Sequence, residues 1–308
     1  MALPASKPPA VSVIVSTRNR PEHIVDCVQS VLSNPGDDFE FVVVDQSDST
    51  ATRDALQRFS GDSRLHFVST DTRGLSRSRN IAIANSRAPI LAFTDDDCRV
   101  GSDWVEAVRG VMARHPDASL VFGCVVSPAD EVDAGVAAEF RPPVDQEFQN
   151  AFLYLDEPWG VGANMVFRRS VFDKVGIFDS VLGAGGPFFA SEDTDMTIRV
   201  LDAGLKMLYS TEFVVTHLGV RQGRDASHLM RGYGVGTGAA LAKHVRLGTR
   251  GSRRVFAHWL VQHTQAAMTK VIQRKKPYGI GYIASGMWAV CRSLGYRVDR
   301  ERGVYVEQ

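Results

Sequence analysis

Short runs of β-branched and other apolar residues recur through the first half of the chain, and between them apolar positions return every three or four residues. Such runs are typical of buried strands, and the wider spacing is typical of helices with one buried side. The predicted strands are residues 11–16, 39–45, 65–69, 90–94 and 119–126, and the predicted helices are 21–32, 50–59, 75–85 and 102–114. This alternation predicts an α/β fold in which helices flank a mostly parallel sheet.

The pattern changes in the second half of the chain. An amphipathic stretch at residues 196–205 predicts a helix, and residues 207–215 predict a strand. Three longer helical patterns follow at residues 226–247, 252–274 and 278–294. We therefore expect an α/β region followed by a helical C-terminal region over residues 219–308.

The net charge of the chain hides an uneven distribution. The 308 residues contain 35 Lys or Arg and 35 Asp or Glu, so the formal net charge is zero. The first 218 residues hold 19 basic and 31 acidic residues, a charge of −12, whereas the remainder holds 16 basic and 4 acidic residues, a charge of +12. The two regions are therefore expected to do different jobs. The composition, with 44% hydrophobic residues, is that of a soluble globular protein and excludes a disordered chain.

Neither export nor membrane spanning is indicated by the sequence. The first ten residues lack the apolar centre of a secretory signal, and no uncharged apolar run reaches the roughly 20 residues that a spanning helix needs. Four cysteines without CxxC spacing favour a reducing compartment over a disulfide framework or a zinc site. We expect a cytoplasmic protein, with peripheral contact at the cytoplasmic face of a membrane left open.

Polar residues follow the predicted strands at their carboxyl ends, where α/β sheets bind ligands. They are Ser16, Thr17 and Arg18 after the first strand, Asp45 and Asp48 at and after the second, Arg73 after the third, and Asp95, Asp96 and Asp97 after the fourth. The turn after the first strand matches neither GxGxxG nor GxxxxGK[ST]. A nucleotide at this edge must therefore be held by side chains and a metal ion.

Three consecutive aspartates after a buried strand are the most informative of these features. Ionised carboxylates packed together repel one another unless a cation neutralises them. Oxygen ligands select a hard cation such as Mg²⁺ or Mn²⁺, which commonly bridges to phosphate. The alternative is a solvated turn in which Ser102 or Asp103 caps the next helix. The position of the aspartates at the ligand edge, facing Asp45, favours the metal site.

Two further candidates lie in the second half of the chain. Glu192 and Asp193 precede the amphipathic helix, where the helix dipole stabilises acidic residues and Ser191 is a suitable cap. A carboxylate there could also serve as a general base for an acceptor hydroxyl. His217 follows the predicted strand and could be either a core histidine or a neutral metal ligand. The residues alone leave both choices open.

The order of these motifs resembles that of the family 2 inverting glycosyltransferases with the GT-A fold. The matching segments are residues 11–21, 42–45, Gly74 with 79–80, 95–97, 162–164, 168–169, Gly176 with 178–179, 192–193 and His217. The resemblance implies a Rossmann-like GT-A catalytic domain over residues 1–218, with a nucleotide-sugar half at about 10–127 and an acceptor half at about 128–218. The basic helical region lies outside this common core.

The resemblance also implies roles for single residues. Asp193 would be the general base, and Asp97, Asp95 and His217 would bind a divalent metal ion, Mn²⁺ or Mg²⁺. Nucleotide-sugar binding would fall to Ser16, Thr17, Arg18, Asp45, Asp48, Arg73, Arg79, Asn80 and Asp96. Acceptor binding would fall to Glu192, Asn164 and Trp159, of which Trp159 could equally be a core residue.

The implied reaction is a single displacement that inverts the anomeric centre. The implied partners are a nucleoside-diphosphate sugar, with UDP the first choice and GDP or dTDP open, and a sugar or lipid-linked acceptor in cell-surface polysaccharide or glycolipid assembly. One alternative is a nucleotidyl- or phosphoryl-transfer enzyme, which is disfavoured because no phosphate loop or aspartyl nucleophile is visible. The other is a non-catalytic protein that binds a nucleotide sugar or a lipid.

The basic helical region has two interpretations. Its aromatic residues Trp259, Tyr282 and Trp288 accompany the basic residues Arg253 and Arg254 and the basic run 274–276. Helices with aromatic and cationic faces are typical of segments that lie on anionic membranes. The other interpretation is a lid or a homodimer contact whose charges complement the acidic region. Nucleic acid is not expected, because no binding motif accompanies the charge.

Overall fold

One mixed sheet of nine strands organises the residues that the computed structural model describes, which are 8–128, 139–149, 160–219, 222–272 and 278–307. Its strands are β1 (Val11–Thr17), β2 (Phe39–Asp45), β3 (Leu65–Ser69), β4 (Ile90–Asp95), β5 (Cys98–Val100), β6 (Ala118–Val126), β7 (Gln146–Phe148), β8 (Asn164–Arg168) and β9 (Lys206–His217). A separate hairpin near the end of the chain consists of β10 (Val298–Asp299) and β11 (Val304–Tyr305).

Helices pack on this sheet and then continue beyond it. The helices of the sheet region are α1 (Pro21–Leu32), α2 (Ala51–Leu56) with a 3₁₀ turn at Gln57–Phe59, α3 (Leu75–Ala84), α4 (Trp104–Arg114), α5 (Ser170–Val175) and α6 (Glu192–Asp202). The C-terminal helices are α7 (Gly223–Leu247), α8 (Ser252–Ile272) and α9 (Tyr278–Ser293).

The strand order is β3-β2-β1-β4-β8-β6-β9-β5, and β7 pairs with β9. Strand β1 is parallel to β2 and β4, and β2 is parallel to β3, whereas β8 is antiparallel to both of its neighbours. The register sets Thr17 opposite Asp45 and Ser16 opposite Asp95. The polar residues at the ends of these three strands therefore meet at one edge of the sheet.

The predicted α/β fold with flanking helices and a helical C-terminal region is confirmed. Six elements were not predicted, namely β5, β7, β8, β10, β11 and α5. Strands β5 and β7 have three residues each, too few to show an alternating pattern. Strand β2 is buried along its whole length, and its apolar residues, Phe39 and 41–44, made it visible in the sequence.

The C-terminal helices pack closely on one another through glycines. A Cβ atom added at Gly234 of α7 would collide with the carbonyl oxygen of Tyr282 in α9, and one added at Gly238 would collide with that of Gly286. Since any larger residue would push the helices apart, these glycines set the distance between α7 and α9.

A buried ion network joins α7 to the sheet region. Lys243 is fully buried, and its Nζ lies 2.6 Å from Asp179 Oδ2 and 2.7 Å from Asp195 Oδ1. Arg199 donates from Nε and Nη2 to Asp195 Oδ2 over 3.1 and 2.8 Å. Two carboxylates and two cations therefore balance, and the C-terminal helices are held directly against α6, which includes Asp195 and Arg199.

Two further groups complete this network. His244 Nε2 lies 2.8 Å from Asp195 Oδ1, and the backbone N–H of Tyr305 donates to Asp179 Oδ2 over 2.9 Å. Burial alone would raise the pKa of Asp195, but Arg199, Lys243 and His244 together hold this pKa far below its usual range. Burial lowers the pKa of His244, so its imidazole is neutral and serves as a hydrogen-bond partner.

Lys243→Met should lower the free energy of unfolding by about 3–5 kcal/mol, because it leaves a carboxylate buried without a counter-charge. Urea unfolding followed by circular dichroism measures this. Lys174→Met, at an exposed position of α5, is the matched control and should change stability by about 0.5 kcal/mol or less. Equal effects of the two substitutions would contradict the assigned role of Lys243.

Candidate active site

A cleft of about 1100 Å³ opens at the carboxyl edge of β1 and β4. The sheet region contributes to it the end of β1, the triple aspartate, the segment around Gly162 and the start of α6. The C-terminal helices form the opposite wall. Of the predicted site residues, the cleft brings together Ser16, Thr17, Arg18, Arg79, Asp95, Asp96, Asp97, Glu192, Asp193 and His217.

Asp96 is held from two sides. Thr17 Oγ1 donates to its Oδ2 over 2.7 Å, and Arg20 Nη1 donates to its Oδ1 over 2.9 Å. Arg20 also lies 3.3 Å from Asp97 Oδ2, so one guanidinium links two of the three aspartates. Because both oxygens of the buried Asp96 are occupied, this carboxylate stabilises the loop after β4 as well as lining the cleft.

Asp97 and His217 form a corner in which a metal ion could bind. His217 Nε2 lies 3.4 Å from Asp97 Oδ1, because β5 pairs with β9 and sets Cys98 opposite His217. One ligand atom each of Asp97, Cys98 and His217 lies within 4.8 Å of the other two. Burial and the neighbouring carboxylates of Asp95 and Asp97 raise the pKa of the Cys98 thiol well above its ordinary value. The Asp97 carboxylate is therefore the donor that suits Mn²⁺ or Mg²⁺, and the His217 imidazole offers a nitrogen beside it.

Crowding of carboxylates makes this corner favourable for a cation. Burial raises the pKa of Asp95, and the charge of Asp97 raises it further. Burial likewise raises the pKa of Asp96, with Asp97 again contributing. Since the ionised forms are costly in this arrangement, a divalent ion would relieve both the desolvation and the repulsion.

Arg79 is the central cation of the cleft floor. Its guanidinium is buried, and Nη1 donates to Glu192 Oε1 over 2.7 Å. Nη2 lies 3.3 Å from both Asp95 Oδ1 and the carbonyl oxygen of Gly162. One side chain from α3 therefore fixes the end of β4 and the start of α6 relative to each other.

Asp193 faces the cleft at the first turn of α6. Its Oδ2 accepts the backbone N–H of Gly162 over 2.9 Å, and its Oδ1 accepts that of Thr194 over 2.7 Å. Ser191 occupies the N-cap position in a left-handed conformation (φ 69°) and makes no capping bond with its side chain. The expectation of a side-chain cap at Ser191 is therefore wrong, because its hydroxyl instead lies 3.3 Å from Thr237 Oγ1 of α7.

Glu192 and Asp193 differ in their surroundings. Burial raises the pKa of Glu192 to about 7, and the charge of Asp193 acts in the same direction. Arg79 opposes this shift. Near neutral pH, Glu192 is therefore partly protonated and can donate a hydrogen bond, whereas the half-buried Asp193 is open to the cleft.

The end of β1 has unsatisfied polar atoms. Ser16 Oγ and Arg18 Nε are buried and have no hydrogen-bond partner in the part of the chain that the structure describes. Both residues line the cleft. Buried polar atoms without partners are costly, so a ligand that supplies an acceptor or donor there would be stabilised.

Three predicted residues lie at or below the rim of the cleft and do not line it. Asp45 is buried beneath the β1 end and accepts the backbone N–H of Ser47 at Oδ1 over 2.9 Å. Asp48 is exposed and pairs with Arg18 and Arg73, each over 3.0 Å. Asp48 therefore holds Arg18 from outside while Arg73 pairs with its other oxygen, and both could reach a bound nucleotide only at the rim.

Two predicted residues have structural roles, so the expectations for them are corrected. Asn164 is fully buried: it accepts the indole N–H of Trp104 and donates to the carbonyl oxygens of Cys124 and Phe213. Asn80 exchanges two hydrogen bonds with the backbone of Phe178. An asparagine amide matches a peptide group in donors and acceptors, which explains both positions. Trp159 lies outside the described residues.

The cleft also includes residues that the sequence did not identify. Arg20 lies in the same polar run as Arg18, and Gln46 directly follows Asp45, so position after a strand was a usable signal for both. Tyr233 of α7 had no such signal. Burial raises the pKa of Tyr233 to about 12, with the charges of Asp193 and Asp95 contributing, so its phenol stays neutral.

The C-terminal wall of the cleft is uncharged. Its residues are Leu229, Tyr233, Thr237, Leu241, Val255, His258, Trp259, Gln262, His263 and Tyr282, with no Asp, Glu, Lys or Arg among the described ones. Trp259 Nε1 donates to the Tyr282 hydroxyl over 3.1 Å, and this hydroxyl donates to Thr237 Oγ1 over 3.2 Å. Trp259 and Tyr282 are buried and face the cleft, so they cannot belong to an outer membrane-facing surface.

Comparison with known sequences identifies the family. The profile of the family described as "Glycosyl transferase family 2" matches residues 12–176, more than half of the chain. The chain belongs to this family. Glycosyltransferase AglE of Haloferax volcanii is 30% identical to it over 215 residues, which are 68% of this chain and 67% of the relative. A glucosyl-dolichyl phosphate glucuronosyltransferase of the same organism is 28% identical over 216 residues, 67% of this chain and 68% of the relative.

Solved structures identify the fold of this glycosyltransferase as GT-A. The mannosyltransferase PcManGT of Pyrobaculum calidifontis, in complex with GDP-Man and Mn²⁺, superimposes with a TM-score of 0.62 at 20% identity, covering 94% of this chain and 88% of that one. Residues 1–349 of TarS from S. aureus, in complex with UDP-GlcNAc, give 0.61 at 16% identity, covering 91% and 81%. Among the described residues, no helix has the length and apolarity to cross a membrane.

The raised pKa of Glu192 predicts a pH dependence of stability. Its folded-state pKa lies above the unfolded value of 4.5, so the protonated form stabilises the glycosyltransferase and this stabilisation is lost as pH rises through about 7. Between pH 5 and pH 8 in EDTA, Glu192→Gln should therefore gain roughly 2–3 kcal/mol relative to the wild type. Urea unfolding at both pH values measures the gain. The exposed Glu22→Gln serves as the control, and a gain no larger than its own would refute the shift.

Proposed function

We propose that this glycosyltransferase is a metal-dependent inverting enzyme that transfers a sugar from a nucleoside-diphosphate sugar to a hydroxyl group of the acceptor. The observation that carries this proposal is the position of Asp193. Its carboxylate opens into the same cleft as Asp95 and Asp97, and backbone N–H groups hold it on both oxygens. A base and a cation-binding corner thus share one cavity, as a direct displacement requires.

The donor would bind along the end of β1. Ser16 Oγ and Arg18 Nε offer unpartnered polar atoms to a nucleotide, with Asp45 below them and Asp48 and Arg73 at the rim. Asp97, Asp95 and His217 would hold the divalent ion, Mn²⁺ or Mg²⁺. When bound, such an ion neutralises negative charge on a diphosphate. The structures of PcManGT with GDP-Man and of TarS with UDP-GlcNAc support a nucleotide-sugar donor, with UDP, GDP and dTDP as candidates.

Asp193 would remove the proton from the attacking acceptor hydroxyl. The N–H groups of Gly162 and Thr194 orient its oxygens, and Arg79 holds Glu192 beside it. Arg79 and Arg20 would stabilise negative charge that grows on the leaving diphosphate side. One displacement from the side of Asp193 inverts the anomeric centre, so no nucleophilic side chain is required.

The acceptor would lie against the C-terminal wall. Because this wall has aromatic, hydroxyl, amide and imidazole groups but no charged side chain, it fits an uncharged sugar or another neutral group. Glu192, partly protonated, could donate a hydrogen bond to an acceptor oxygen. The relative that acts on glucosyl-dolichyl phosphate supports a lipid-linked sugar as acceptor, and hence a role in glycolipid or cell-surface polysaccharide assembly.

Asp193→Asn should retain donor binding and lower transfer by about 100-fold to 10,000-fold, because the amide cannot accept the proton. Transfer to a sugar-acceptor panel is followed by release of nucleoside diphosphate, and donor affinity is followed by calorimetry. Asp173→Asn, exposed on α5, is the control. If Asp193→Asn transfers sugar as well as the wild type does, Asp193 is not the base. If the wild type binds the donor but transfers sugar to no acceptor, the protein is better described as a binding protein.

UDP, GDP, dTDP and CDP can be screened with Mn²⁺ by thermal shift. The nucleotide that binds should raise the melting temperature of the wild type by several degrees. EDTA and Asp97→Ala should each abolish this increase, because the bridging cation is lost. Asp37→Ala, at an exposed position, should leave it intact. An increase that persists in EDTA and in Asp97→Ala would refute the metal site.

A further inference from the structure

The outer side of α9 is a continuous apolar stripe without a covering element among the described residues. Its members recur at helical spacing and are all exposed: Ile280, Ala284, Met287, Trp288, Cys291 and Leu294, the last just beyond the end of the helix. Trp288 is 52% exposed and Leu294 66%. Single exposed apolar residues are common on proteins, but a stripe of this length marks an interaction surface. We name these six residues the outer stripe.

The inner side of the same helix is fully used. Gly286 and the backbone of Tyr282 contact the glycines of α7, and Ala289 and Ser293 are buried. Apart from Arg292 in its last turn, helix α9 therefore has small or apolar residues on all sides, although only half of it is covered by the protein. A soluble helix of this kind normally lies in a core, so its outer half requires another apolar environment.

Helix α8 also exposes apolar side chains. Val261, Met268 and Ile272 are exposed by 54%, 59% and 77%. Helix α8 thus has two different sides, because Trp259 and His263 of the same helix line the cleft. Helix α8 therefore separates part of the C-terminal wall of the cleft from exposed apolar side chains.

Charge identifies the kind of surface that the outer stripe fits. Residues 252–294 contain seven Lys or Arg and no Asp or Glu. Of these, Arg253, Arg254 and Arg292 are exposed, and the Arg292 guanidinium lies 5.0 Å from the centre of the Trp288 ring. Exposed tryptophan, apolar side chains and arginine together are typical of helices that lie at the interface of an anionic bilayer.

We propose that the outer stripe of α9, with the exposed arginines of α8 and α9, docks this glycosyltransferase onto an anionic membrane surface. The apolar side chains enter the boundary between headgroups and acyl chains, and the arginines contact lipid phosphates. A second copy of the chain fits less well, because an isologous contact would set two basic surfaces against each other. The proposal goes beyond the transfer reaction and does not depend on it.

The test uses the full chain with vesicles of phosphatidylcholine alone or with 30% phosphatidylglycerol. We expect co-sedimentation with the anionic vesicles and loss of binding in high salt. Neutralising each arginine should lower the affinity for these vesicles by about fivefold or more. Met287→Ser/Trp288→Ser should abolish co-sedimentation, and brominated lipid should quench tryptophan emission of the wild type far more than that of Trp288→Phe. Ile177→Ser, at a residue 49% exposed in the sheet region, is the matched control and should bind as the wild type does.

Three results would overturn the proposal. Absence of binding to anionic vesicles by the wild type is the first, and equal binding by Met287→Ser/Trp288→Ser, with its circular dichroism unchanged, is the second. The third is a dimer in lipid-free solution, measured by light scattering, that the same double substitution dissociates. That outcome would assign the outer stripe to a second copy. Donor-binding and transfer assays on the double variant show separately whether the active site is intact.

Discussion

Repulsion among carboxylates is the constraint on which the candidate active site depends. Asp95, Asp96, Asp97, Glu192 and Asp193 line one cleft. Within the part of the chain that the structure describes, the buried Arg79 and the half-exposed Arg20 are the arginines that contact them directly. These acids have different hydrogen-bond partners. Arg20 and Thr17 hold Asp96, Arg79 holds Glu192, and backbone N–H groups hold Asp193. What is left is a corner at Asp97 and His217 where further positive charge would be stabilising.

The C-terminal helices are part of this site. The sequence suggested a separate basic surface, but α7 contributes Lys243 to a buried network and Tyr233 to the cleft. The basic residues of the C-terminal region therefore fall into two groups: those that form ion pairs inside the protein and the arginines that are exposed. The described residues of the C-terminal wall include no acidic or basic side chain. Ligand selectivity at this wall would therefore depend on shape, aromatic faces and hydrogen bonds.

Much of the first half could be predicted from the sequence, because buried parallel strands are uninterrupted apolar runs and their ligand-binding ends are polar. Strands β1 to β4 and the triple aspartate were found in this way. Prediction failed where a role depends on contacts between distant segments. Asn164 looked like a ligand contact in a motif, yet its amide bonds to β6 and β9 from within the core. Tyr233 reaches the cleft from α7, which lies outside the segments that carry the family resemblance, so no motif marked it.

The two acids Asp193 and Asp195 stand two positions apart on the first turns of α6 and face opposite ways, one to the cleft and one to Lys243 and His244. The segment matched by the family profile ends at residue 176, before either of them. The smallest unit that retains the whole cleft must therefore extend to the C-terminal helices, and to Tyr305, whose backbone N–H donates to Asp179. If the C-terminal segment were replaced by that of a relative, the new segment would need a lysine that pairs with Asp179 and Asp195. The helices that line the cleft are thus also the helices whose lysine completes the buried core of this chain.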